Sequence, residues 1–190
     1  MNINKDIFEI IFFARAGQGA KTAAEIVAQS AVSEGKYVQA FPYFGPERSG
    51  APTKSYVRVS KNFIRTHESV VDPDVVVVLD DTLLESVDVT KNLDRDEWLI
   101  INTSKNNEEI TKLIPDFEGK IYAIDGNMIS MEIIGQPRPN SVVLGKLISV
   151  TEIVKIESIK DKFREIFQPK VGEAITGKNI LAIEKGYDTV

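Results

Sequence analysis

Ile7-Phe8-Glu9-Ile10-Ile11-Phe12-Phe13-Ala14-Arg15-Ala16-Gly17-Gln18-Gly19-Ala20-Lys21-Thr22 is the stretch whose reading decides the fold. Its first eight residues are mostly apolar and β-prone, which predicts a strand. Two glycines then permit a tight bend and a close backbone approach. Beyond them Ala23, Ala24, Ile26, Val27, Ala31 and Val32 recur at helical spacing. A strand, a glycine turn and a helix open a nucleotide-binding style α/β fold. The first amides of such a helix lack intrahelical partners and lie at its positive end, which attracts phosphates and carboxylates. Lys21 adds a full positive charge in the first turn, next to Thr22. Gly17, Gln18, Gly19, Lys21 and Thr22 are therefore candidate anion-binding residues. A turn that merely packs a helix on a sheet accounts for the same residues.

Two nucleotide motifs nearly fit this stretch and both fail. The dinucleotide pattern G-x-G-x-x-G requires glycines where the chain has Ala14 and Ala16. It also calls for an acid at the end of the second strand. That strand, Tyr37-Val38-Gln39-Ala40-Phe41-Pro42, carries none. The phosphate loop G-x-x-x-x-G-K-[ST] aligns on Lys21-Thr22 but meets Arg15 and Ala20 in place of its glycines. A free-standing nucleotide hydrolase of phosphate-loop type is thus a rival reading.

Alternation continues along the chain. Asp74-Val75-Val76-Val77-Val78-Leu79-Asp80-Asp81 is the strongest strand, and its unbroken apolar run predicts burial on both faces. Its two trailing aspartates invite a magnesium reading, but Asp81 before Thr82-Leu83-Leu84 reads better as a helix N-cap. Residues 97–102 and 120–125 are further strands. Ser104 is expected to cap a helix over 105–113, and 126–134 reads as helical. Asn140 and Ser141 are expected to cap a helix containing Gly145, a small residue that predicts close packing. Apolar stripes predict two more helices over 155–167 and 172–186. The interval 36–65 departs from alternation: strands over 36–43 and 53–59 are followed by an expected hairpin through Ser60-Lys61-Asn62 into 63–65. The expected fold is α/β and Rossmann-like. It has a doubly wound, mostly parallel sheet, a hairpin insertion near 36–65 and C-terminal helices.

The loop Phe44-Gly45-Pro46-Glu47-Arg48-Ser49-Gly50-Ala51-Pro52 holds two glycines and two prolines in nine residues, so regular structure is excluded there. Charged and aromatic residues on a rigid loop suit recognition, although a surface turn with a solvated ion pair has the same composition.

Composition bounds the function. At 190 residues, with 43% hydrophobic and 27% charged residues, the chain is expected to form one domain with a real core. A net charge of −5 argues against nucleic-acid binding as its main task. No apolar run approaches the ~18 residues of a membrane span. No secretion signal is read at the N-terminus, so the expected location is the cytoplasm. The chain has no cysteine and one histidine, His67. It therefore has no thiolate nucleophile and lacks the usual ligands of an iron–sulfur cluster, and a serine triad or multi-histidine metal site is not expected. No catalytic residue and no metal site is assigned.

Three segments together resemble a known family: Arg15 to Lys21, Gln39 to Pro52, and Asn140-Ser141-Val142-Val143-Leu144-Gly145. In order and spacing they are similar to the gamma subunit of pyruvate and related 2-oxoacid:ferredoxin oxidoreductases, and the likeness runs from about Phe8 to Tyr187. Many family members carry glycine where this chain has Ala14 and Ala16. The resemblance implies one gamma-type domain over 1–190 (the pyruvate/ketoisovalerate oxidoreductase catalytic domain). It further implies a complex that oxidatively decarboxylates a 2-oxoacid, with coenzyme A as acyl acceptor and ferredoxin as electron acceptor, or runs the reverse synthesis. Thiamine diphosphate and magnesium would lie on alpha and beta partners, and iron–sulfur clusters on beta and delta. The gamma chain would hold no cofactor alone, would pack beside the thiamine site and would help bind coenzyme A. Under this reading Gly17, Gln18, Gly19, Lys21 and Thr22 receive a phosphate or a partner's carboxylate. Gly45, Glu47, Arg48, Ser49 and Gly50 of the loop do the same, with Glu47 holding Arg48. Asn140 and Ser141 present another helix N-terminus. A scaffold that only holds partner subunits together is the remaining rival. In isolation such a subunit is expected to self-associate through an uncovered apolar patch.

Overall fold

The computed structural model describes residues 5–43 and 50–189. Among the described residues six strands form one sheet: β1 (Ile7–Arg15), β2 (Tyr37–Tyr43), β3 (Pro52–Ser60), β4 (Val75–Val78), β5 (Trp98–Asn102) and β6 (Lys120–Ile124). Their order is β2-β3-β1-β4-β5-β6. β1, β4, β5 and β6 run parallel, while β3 runs antiparallel to both β1 and β2. The helices are α1 (Ala20–Ser33), α2 (Asn107–Leu113), α3 (Gly126–Ile134), α4 (Pro139–Thr151) and α5 (Ile156–Asp188).

Alternation along β1 sorts its side chains to the two faces. Ile10, Phe12 and Ala14 pack with Ala24 and Val27 of α1 and with Val143 and Leu147 of α4. Ile11 and Phe13 pack on the opposite face with Leu83, Leu84 and Ile110. The four valines of β4 are buried throughout, as their unbroken apolar run requires. The expected layered α/β architecture with an inserted hairpin and C-terminal helices is what the chain adopts.

The insertion falls within the expected 36–65, but its turn is not at Ser60-Lys61-Asn62. β2 and β3 pair with each other across residues 44–51, and residues 63–65 form no strand. Both edges of β3 are already occupied, by β1 and β2, so a further strand has no ladder to join. Arg58, 3% exposed, locks this insertion: its Nε donates to Glu9 on β1 at 2.6 Å and its Nη1 to Gln39 on β2 at 3.3 Å.

Three caps also shift. Asp80, not Asp81, accepts the Thr82 amide and starts a short 3-10 turn over Asp81–Glu85. Asn106, not Ser104, caps α2 through a reciprocal pair with Glu109. α4 starts one to two residues early because Pro139 suits its first turn, so Arg138 is its N-cap and Asn140 and Ser141 lie inside it. The two expected C-terminal helices are present as the two segments of α5, which meet at Gly172, whose φ of 80° and ψ of 166° are not helical. Gly145 meets its expectation. A Cβ there would run into the Ile183 carbonyl of α5, and one at Gly186 into the Val142 carbonyl of α4.

Candidate functional site

The sheet changes hands between β1 and β4. β1 leads into α1 on one face, and β4 leads into the 3-10 turn on the other. Ligand crevices in open α/β sheets form at such a point, beyond the carboxyl ends of the strands. Here that position lies between the glycine turn and Asp80.

The turn bends through two positive φ angles, 95° at Gly17 and 86° at Gly19. Ala14 and Ala16 stay outside that region, so their methyl groups cost no backbone strain. The first intrahelical bond of α1 runs from the Ala23 amide to the Gly19 carbonyl at 2.9 Å. The amides of Ala20, Lys21 and Thr22 precede it and have no intrahelical partner. No acid stands in this first turn, and Lys21 is exposed.

A polar network joins the turn to β4. Gln18 accepts the Arg15 amide on Oε1 at 2.8 Å and donates from Nε2 to Asp80 Oδ2 at 2.6 Å. Arg15 donates from Nε and Nη2 to Thr82 Oγ1, and from Nη1 to the Gly50 carbonyl at 3.0 Å. Thr82 in turn donates its hydroxyl to Asp80 Oδ1 at 2.5 Å. Partial burial pushes the Asp80 carboxyl up, but bonds from Thr82 and Gln18 and the Arg15 charge outweigh it, holding Asp80 below the usual carboxylate range. The Ala16 amide donates to the Ala51 carbonyl at 3.1 Å, so the end of the loop is tied to the turn twice.

The two adjacent aspartates part company. Asp81 accepts from Thr103 Oγ1 at 2.6 Å and pairs with Lys105, away from Asp80. Among the described residues no group of three or more histidine, cysteine or acidic side chains is placed to share a metal ion. Further along the edge, Asn102 donates to the Leu79 carbonyl and accepts the Gly126 amide, each at 2.9 Å, tying β4, β5 and the start of α3 together.

Tertiary structure brings some expected residues together and separates others. A Cβ at Gly19 would come within 2.7 Å of Asn140 Nδ2, so the start of α4 sits against the glycine turn. Gly50, with φ of 78°, is drawn in by Arg15. Ser141 is 2% exposed and donates to Asn179 of α5 at 2.9 Å, which commits it to the helix seam. Gly45, Glu47, Arg48 and Ser49 lie outside the described residues. Sequence reasoning missed Arg15, Asp80 and Thr82. The available signal was the position of Asp80 at the carboxyl end of a buried parallel strand.

The family model described as pyruvate ferredoxin/flavodoxin oxidoreductase matches residues 9–189. The chain belongs to this family. It is an oxidoreductase subunit of the gamma, or PorC, type. It is 43% identical over 182 residues to the pyruvate/ketoisovalerate oxidoreductases common subunit gamma of Thermococcus kodakarensis, covering 96% of each chain. The crystal structure of the pyruvate oxidoreductase subunit PorC of Thermotoga maritima superposes with a TM-score of 0.86 at 39% identity, covering 97% of each chain. The fold also recurs, at 21% identity and a TM-score of 0.78, within 2-oxoglutarate:ferredoxin oxidoreductase of Magnetococcus marinus. There the match spans 96% of this chain and 30% of that one. Among the described residues of this gamma-type chain, no helix is long and apolar enough to cross a membrane.

Proposed function

We propose that this chain is the gamma subunit of a cytoplasmic pyruvate, or 2-oxoacid, ferredoxin oxidoreductase complex and works only in that assembly. The complex oxidatively decarboxylates a 2-oxoacid to its acyl-coenzyme A and passes the electrons to ferredoxin. Thiamine diphosphate, magnesium and iron–sulfur clusters on alpha, beta and delta partners supply the bond cleavage and the electron sink; the gamma chain supplies positioning. It packs by the thiamine site and helps hold coenzyme A. The observation that carries this reading is the whole-length likeness to gamma-type subunits, 43% identity over 96% of both chains.

The crevice supports the finer part of the reading. Coenzyme A is polyanionic. The orphan amides of Ala20, Lys21 and Thr22 open α1, Lys21 adds an exposed positive charge in that first turn, and Asn140 at the start of α4 packs against Gly19, a setting that suits a phosphate. Met128 and Met131 on α3 and Ile175 and Leu181 on α5 are about half exposed, in keeping with a chain that partners cover.

Co-expression with its alpha, beta and delta partners tests the proposal. The purified complex is expected to reduce ferredoxin with pyruvate and coenzyme A, whereas the gamma chain alone turns nothing over. Within that complex Arg48→Ala and Lys21→Ala are expected to raise the KM for coenzyme A with assembly intact. Unchanged kinetics in both variants would remove the loop and the turn from the ligand site and leave a scaffold.

A further inference from the structure

We propose that Asp80 is a positioning residue for the crevice: through Gln18 it props the glycine turn at one fixed distance from β4. This rests on the reading of the crevice as the anion-receiving site. Gln18 was expected to meet the ligand itself, but both ends of its amide are engaged within the chain. Oε1 accepts the Arg15 amide at 2.8 Å and Nε2 donates to Asp80 Oδ2 at 2.6 Å. The side chain thus bridges the last residue of β1 and the residue that caps the 3-10 turn after β4.

Asp80 is held in turn. Thr82 donates to Oδ1 twice, from its amide at 3.1 Å and its hydroxyl at 2.5 Å. Arg15 Nε lies 3.5 Å from Oδ2, and the Asp80 side chain is 17% exposed. A carboxylate with this set of donors has one stable orientation, so the strut has a defined length. Gly17 and Gly19 make the turn pliable, since glycine holds either sign of φ without a Cβ penalty. A pliable turn that must present amides to an anion needs an outside brace, because ordering it on binding would subtract from affinity. Asp80 and Gln18 supply that brace. Neither is a catalytic residue; they act through the backbone of Gly17 to Thr22.

The donor and acceptor sense of the strut can be reversed, which separates this role from mere structure. Asp80→Asn leaves one acceptor oxygen for two donors, the Thr82 amide and Gln18 Nε2; with that oxygen kept on Thr82, an amide donor faces the Gln18 amide donor. Gln18→Glu sets two carboxylates against each other. The double variant Gln18→Glu/Asp80→Asn restores a matched pair: the new carboxylate at 18 accepts from the Arg15 amide and from the new amide at 80. In the assembled complex each single variant is expected to raise the KM for coenzyme A about tenfold, equivalent to ~1.4 kcal/mol, with kcat nearly unchanged. The double variant is expected to return close to wild type. Singles that leave KM unchanged, or a double variant no better than the worse single, would overturn the inference. If the singles do not assemble, recovery of assembly by the double variant supports the strut and its failure overturns it. Lys21→Ala distinguishes the two levels. A raised KM there beside unaffected strut variants defeats the strut alone, whereas no change in any of them defeats the anion-site reading as well.

Discussion

Asp74 and Asp80 bracket the same strand, β4, and their surroundings drive them in opposite directions. Asp74, 6% exposed, lies at the amino end. It accepts the Glu9 amide at 2.7 Å and pairs with Lys5 at 3.3 Å, and Lys5 is shared with Asp72 and Glu97. Burial pushes the Asp74 carboxyl above the usual range despite those donors, and it does the same to Glu97. At the carboxyl end Asp80 is less buried and better supplied with donors, and it is pulled below that range. The difference teaches that the two ends of one strand serve different ends: the amino end tolerates a reluctant charge for packing, while the carboxyl end secures a charge that orients a turn.

The sign of each effect follows from linkage. Asp80, with its folded pKa lowered, contributes stability above the unfolded value of about 3.9, lost as pH falls through the folded pKa. Asp74, with its folded pKa raised, contributes stability below the unfolded value, lost as pH rises through the folded pKa.

The largest expected effect comes from a lesion that touches neither end. Gly145→Ala forces a methyl against the Ile183 carbonyl in the α4–α5 seam and should cost about 3 kcal/mol or more, lowering Tm by roughly 2–4 °C per kcal/mol. Thermal scans at acid and neutral pH should show the same drop at both, which provides the pH-independent yardstick. Next, Asp80→Asn should cost about 1.5–3 kcal/mol near neutral pH, and the loss should fade below the folded pKa of Asp80. A loss that persisted in acid would mean the carboxylate's charge is not what holds the turn. Lys5→Met should cost about 1 kcal/mol, since Lys5 is partly exposed and its ion pairs are screened. That loss should grow as pH rises, because Asp74 and Glu97 then ionise without their counter-charge. The smallest effect belongs to Asp74→Asn, under about 1 kcal/mol. Its sign sharpens the contrast: relative to wild type this variant should gain as pH rises, where Asp80→Asn loses. Urea titrations across that range check both, and slopes of the same sign would break the comparison.

Much of this was legible in the chain itself. Ile10 to Ala14 and Val75 to Val78 could only be buried strands, and Gly17 and Gly19 announced the bend that the φ angles confirm. Gly145 signalled a close helix crossing without naming its partner. The caps at Asp80 and Asn106 moved by one or two residues because neighbouring candidates compete locally for the same amides, and the one at Arg138 moved because Pro139 suits the first turn of α4. The expected strand at 63–65 failed because strand formation depends on a free ladder edge, a property of the whole sheet.

What the sequence determined by itself was most of the elements, the faces they bury and the family, since periodicity, glycine placement and motif order are local or linear properties. Only the tertiary structure decided that Gln18 faces Asp80, 62 positions further along, and that Ser141 turns away from the crevice toward Asn179. Those pairings depend on which strands become neighbours and how closely helices cross. Both are settled by packing in three dimensions, where residues distant along the chain compete for the same space and the same hydrogen bonds.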